Sequence, residues 1–98
     1  MVDNLKKRFD ELTLLMNSES SINKKQNLAK EQIKILKKIQ EKFLHIAQEK
    51  GYSLNSYNVL DIKLQQYKLM RQIAEINKLP IEEYEKLIIK TKQEIFGE

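Results

Sequence analysis

His45 is the only imidazole in the chain, lying between Leu44 and Ile46, and there is no cysteine. A zinc site needs three or four His, Cys or carboxylate ligands, so a lone His without Cys cannot build an ordinary transition-metal site. A catalytic triad needs an orienting acid and a nucleophile around its His, and no spacing here supplies them. His45 is read as a boundary residue at the edge of a helical stripe. The densest carboxylate group is Glu82-Glu83-x-Glu85. Adjacent residues on a helix point about 100° apart, so these carboxylates do not converge. A simpler role is to meet the positive end of a helix dipole. Two isolated Gly cannot form a phosphate-cradling loop. A small helical mutase would need several inward cations, and Arg8 and Arg71 are the only Arg. No enzyme activity, cofactor or metal is expected.

What remains is the chemistry of binding. Lys30, Lys34, Lys38 and Lys42 form an i, i+4 ladder, with Lys37 beside it. Like charges at this spacing cost about 0.2–0.5 kcal/mol per pair. The simpler reading is a solvated face relieved by Glu31 and Glu41; the other is a surface for an acidic partner or an anionic membrane. Net charge is +4, and the excess lies in the first half: residues 1–50 hold eleven Lys/Arg against seven Asp/Glu. Sixteen of the eighteen cations are Lys, whereas nucleic-acid readers lean on Arg for bidentate contacts. Tyr52 and Tyr57 flank a turn. There they serve either as bundle-end packing with the hydroxyl in water or as an interface, where Tyr is enriched. Phe96 precedes Gly97 and falls off the stripe marked by Ile88, Thr91 and Ile95. It is either a surface anchor or a lid over the bundle end. The partner-binding candidates are Tyr52, Tyr57, Tyr84, Lys86, Lys90, Ile95 and Phe96.

Four helices must position these residues. Val2, Leu5, Phe9, Leu12 and Met16 repeat at 3, 4, 3, 4 spacing and predict helix 1 over about 3–16. Leu28, Gln32, Ile35, Ile39, Phe43 and Ile46, widened by Leu36 and Ala47, predict helix 2 over about 23–50. Asn23-x-x-Gln26 is a weak capping box and Gly51 is the stop. Two stripes mark helix 3 over about 56–76, which suggests two neighbours: Val59, Ile62, Leu69, Ile73 and Ile76, then Leu60, Leu64, Tyr67 and Ala74. Pro80 suits the first turn of helix 4, drawn over about 80–96, with Ile81, Tyr84, Ile88, Thr91 and Ile95 as its stripe. Leu36, Ile39, Phe43, Leu60, Leu64, Ile73, Tyr84 and Ile88 are expected in the core. Short links make successive helices antiparallel, so the expectation is one all-α, up-down-up-down four-helix bundle spanning residues 1–98.

Composition agrees with a globular domain, being 41% hydrophobic and 33% charged with two Gly and one Pro. No apolar run approaches the roughly 20 residues of a membrane span. No secretory signal follows Met1-Val2-Asp3-Asn4-Leu5-Lys6-Lys7, so a cytoplasmic location is expected, with peripheral membrane contact allowed.

Asn77-Lys78-Leu79-Pro80-Ile81-Glu82-Glu83-Tyr84, followed by Leu87-Ile88 and Ile95, resembles the entry to the last helix of immunity proteins for pediocin-like bacteriocins, the enterocin A type in particular. Leu5-Lys6-Lys7-Arg8-Phe9-Asp10-Glu11-Leu12 is similar in pattern to that family's first helix. The resemblance implies protection of a producing bacterium from its own pore-forming peptide. It implies action from the cytosol on the peptide's membrane receptor, a mannose phosphotransferase permease, with the peptide bound. In that family the C-terminal half sets which bacteriocin is recognised. A monomer without specific nucleic-acid binding is expected. The alternative is a helical nucleic-acid-binding or regulatory protein using the Lys-rich second helix.

Overall fold

The computed structural model describes residues 2–97, apart from the side chain of Val2, which sequence assigns to the first stripe. It consists of α1 (Val2–Ser18), α2 (Ile22–Glu49), α3 (Tyr57–Ile76) and α4 (Glu82–Phe96), with no strand among the described residues. The all-helical expectation holds.

Helix ends follow from local hydrogen bonding. The Ser18 hydroxyl donates to the carbonyls of Leu14 and Leu15, closing α1. Ser21 caps α2, its oxygen accepting from the Lys24 N–H at 3.4 Å, so the cap lies two residues before the expected Asn23. α2 ends with Gly51 at φ +82°, where the Tyr52 N–H donates to Ala47 O and the Gly51 N–H to Gln48 O. That is the paired bonding of a Schellman motif, which needs a left-handed residue. α3 ends the same way: the Leu79 N–H donates to Ala74 O at 2.8 Å and the Lys78 N–H to Glu75 O. Here the left-handed position is Lys78, at φ +58°. This turn consumes the residues before Ile81, so Pro80 precedes α4 instead of opening it.

Lys78 carries a backbone cost that Gly would not. The left-handed conformation costs an L-residue roughly 1–2 kcal/mol, partly offset by the extra unfolded-state entropy of Gly. Lys78→Gly is expected to stabilise the domain by about 0.5–1 kcal/mol. The melting temperature should rise by roughly 2–8 °C. A fall instead would show that the Lys78 side chain contributes more than its backbone costs.

Backbones approach within 8 Å between α1 and α2, α2 and α3, and α3 and α4, and between no other pair among the described residues. The molecule is accordingly flat, 44 × 31 × 13 Å, with α2 and α3 in the middle and α1 and α4 not adjoining. Arg8 meets Glu31 and Arg71 meets Glu85, and Ala47 lines one groove with Val59. Each pair lies at similar distances from its intervening turn, the spacing of antiparallel neighbours.

The core cluster joins Ala29, Ile33 and Leu36 of α2, Met70, Ile73 and Ala74 of α3, and Tyr84 of α4. Phe9 and Met16 of α1 pack against it. The buried face of α2 is wider than the expected stripe. Gln32, Ile35, Leu36 and Ala47 of that stripe are buried, and so are Ala29, Ile33 and Gln40 outside it, while Ile39 and Phe43 are only half-buried and Ile46 is exposed. α2 packs on both α1 and α3, and small side chains at 29 and 47 lie in its buried face. On α3, Ile62, Leu69 and Ile76 are exposed although they continue an apolar stripe. Leu69 and Ile76 line an open groove with Phe9, Thr13 and Met16 of α1, and Ile62 one with Phe43 and Ile46 of α2, so neighbours flank these side chains without covering them. Ile88 is likewise half-buried, whereas Leu36, Leu60, Leu64, Ile73 and Tyr84 are buried as expected.

Candidate functional site: an apolar groove at the turn between α2 and α3

Gly51 reverses the chain after α2, and the next residue, Tyr52, is left 63% exposed. Tyr57 begins α3 and is 65% exposed. Between the two helices below Tyr52 lies a groove of about 330 Å³ lined by Phe43, Ile46, Val59 and Ile62. Ala47 at its base is too small to fill the gap. Lys50 and Ser56 provide polar groups at the rim. Apolar walls with a few polar groups and a protruding aromatic suit a binding surface for a peptide or protein side chain.

The other expected partner residues are dispersed. Lys86 and Lys90 lie one turn apart on α4, both exposed; Ile95 is half-buried. Phe96 is 68% exposed, which decides against its folding back as a lid. Tyr84, expected both in the core and as a contact residue, is 8% exposed in the cluster with Ile33, Leu36 and Met70, and it also lines a groove between α2 and α4. Burial pushes its phenol above the usual value, and the Glu83 carboxylate adds to the shift. Tyr67 is raised too, by burial first, with the nearby Gln40 amide opposing and the Glu94 carboxylate adding to the shift. Both phenols contribute stability below pH about 10 that is lost as pH rises through their higher folded values.

Sequence reasoning missed the groove itself. Phe43, Ile46, Val59 and Ile62 were all placed on core stripes. The available signal was that two stripes run into one turn flanked by tyrosines.

The charged groups tie helices together. Arg8 donates to Glu31 at 2.8 Å, joining α1 to α2, and also meets Glu11 at 3.4 Å. The Glu31 hydrogen bond raises its already high pKa. Arg71 meets Glu75 at 2.8 Å and Glu85 at 3.5 Å, joining α3 to α4. Both arginines therefore already hold carboxylates. His45 faces Glu49 at 3.0 Å one turn along an exposed helix surface. Among the described residues no three His, Asp or Glu converge to hold a metal, and no helix is long and apolar enough to cross a membrane. Compared with protein-family models, curated proteins and solved structures, the chain matches none.

Proposed function

We propose that this chain is a binding protein, and specifically an immunity protein against a pediocin-like pore-forming peptide. In this reading it acts from the cytosol at the peptide's membrane receptor, a mannose phosphotransferase permease with the peptide bound. The observation that carries the binding role is the apolar groove under Tyr52, beside the exposed Tyr57. The resemblance of residues 77–84 to the family's last-helix entry supplies the specific reading, and the four-helix architecture is compatible with it.

The test is expression in a bacterium sensitive to a panel of pediocin-like peptides. Survival against at least one peptide is expected. Tyr52→Ala combined with Tyr57→Ala should abolish protection while leaving the melting temperature within a few degrees, because both side chains are mostly exposed. Failure to protect against every peptide, with folded protein present, overturns the immunity reading. Submicromolar binding to duplex DNA at physiological salt, weakening steeply as salt rises, would support the nucleic-acid alternative instead.

A further inference from the structure

A second groove, of about 340 Å³, runs between α2 and α4. Its rim carries Lys30, Lys34 and Lys37, three successive turns of one face of α2, opposed by the single carboxylate of Glu83. Its apolar lining is Ile33 and Tyr84, both buried at the floor, with Leu79 half-buried beside them and Pro80 exposed at the edge. Lys37 leans across, 3.7 Å from Glu83 and 5.9 Å from the centre of the Tyr84 ring. Lys30 and Lys34 are exposed, and among the described residues neither has an ion-pair partner.

We propose that this groove docks an acidic segment of a protein partner, with carboxylates on Lys30 and Lys34 and an apolar side chain on the Leu79–Tyr84 floor. Charge complementarity points to the acidic partner. Three closely spaced cations face one anion, and an incoming carboxylate relieves the repulsion along the ladder. The recessed floor points to an inserted side chain and against a lipid surface. A bilayer requires apolar groups that protrude beside the cations, whereas Ile33 and Tyr84 are buried at the bottom. A nucleic-acid backbone would engage the lysines and leave the apolar floor unused, and both arginines are already paired. Glu83 is the one unfavourable neighbour, since it competes with the ligand for Lys37. This surface is separate from the groove under Tyr52 and does not depend on the immunity reading.

The experiment uses the full chain and a fluorescein-labelled 12-residue peptide of glutamates around a central Leu-Phe pair. A second peptide has Ser in place of Leu and Phe. The first should bind and shift the backbone resonances of Ile33, Leu79 and Tyr84. Lys30→Glu with Lys34→Glu should weaken binding at least about tenfold while the melting temperature holds. Glu83→Gln should tighten binding, and Glu94→Gln, elsewhere on the same helix, should leave it unchanged. Equal binding of the Ser peptide, or indifference to the Lys30/Lys34 reversal, overturns the proposal. So does tighter binding to phosphatidylglycerol vesicles or duplex DNA than to the Leu-Phe peptide.

Discussion

Met70→Ala is expected to cost about 2–5 kcal/mol of folding stability. Met70 is fully buried near the middle of α3, among side chains from α2 and α4. Truncation removes a thioether that touches both neighbours. The fixed helices can close only part of the void, so the cavity adds to the lost transfer energy. For a domain of this length, each kcal/mol is worth roughly 4–8 °C, so the melting temperature should fall by at least about 8 °C. Met70→Leu keeps the volume and should cost less than about 1.5 kcal/mol. Phe43→Ala provides the contrast. Its place on the sequence stripe suggests a cost of about 3–5 kcal/mol, as for an enclosed ring. The ring is half-buried on the groove wall, so about 1–2 kcal/mol is expected instead. Urea unfolding curves with matched slopes measure all three. A larger loss for Phe43→Ala than for Met70→Ala would place the centre of the core on the α2–α3 groove.

Why sequence located the helices but not the full core is visible in these residues. Periodicity, Gly51 and Gly97 mark where each helix lies, because they act within a few residues. Met70 belonged to neither α3 stripe, since it lies between them and is buried only by the presence of both neighbours. Ile62, Leu69 and Ile76 fit the helical period equally well and are exposed. The period cannot report that α1 stops short of covering α3. The same limit applies to the candidate site. The exposure of Tyr52 and Tyr57 was legible, because they flank a turn. The groove below them was not, because it depends on how side chains of α2 and α3 meet across the seam. Lys78 in a left-handed turn was hidden for a different reason: sequence signals that conformation by Gly or Asn, and here it accompanies the Leu79 N–H bond to Ala74 O and the packing of Leu79 against the core.

An open, flat arrangement also explains where apolar surface is left over. In a closed bundle α1 and α4 would cover each other, and the outer faces of α2 and α3 would be polar. Here Ile76 is 70% exposed, and Ile22 shares a shallow groove with it at the base of α2. Gln26 donates to Asn77 O at 3.0 Å across this junction, fixing the α3–α4 turn against α2. Binding surface arises from missing coverage, and the polar bridges hold the helices where that surface persists.

Gln32→Ala is expected to release α1 ahead of the rest of the domain. Gln32 is 3% exposed, a polar side chain inside an apolar seam. Its amide donates to Thr13 Oγ at 2.8 Å and to Phe9 O at 3.1 Å, and Thr13 Oγ also donates to Phe9 O at 3.2 Å. This small network joins two helices at a buried point. Removing the amide takes the donor from Thr13 Oγ and leaves Phe9 O only its bonds within α1, at a cost of about 1–3 kcal/mol. The cost should be local. α1 is the first helix, among the described residues its backbone approaches only α2, and its Arg8–Glu31 tie is exposed. Such an element opens separately when its one seam is weakened. Amide hydrogen exchange should therefore quicken in residues 6–16 by roughly 5–150-fold, with α3 and α4 nearly unchanged. Gln32→Met keeps the volume and removes only the hydrogen bonds. If it speeds exchange in α1 as much as Gln32→Ala does, the network and not the packing holds the helix. Equal acceleration in all four helices would instead mean that the domain opens as one unit, and that α1 has no separate hold to lose.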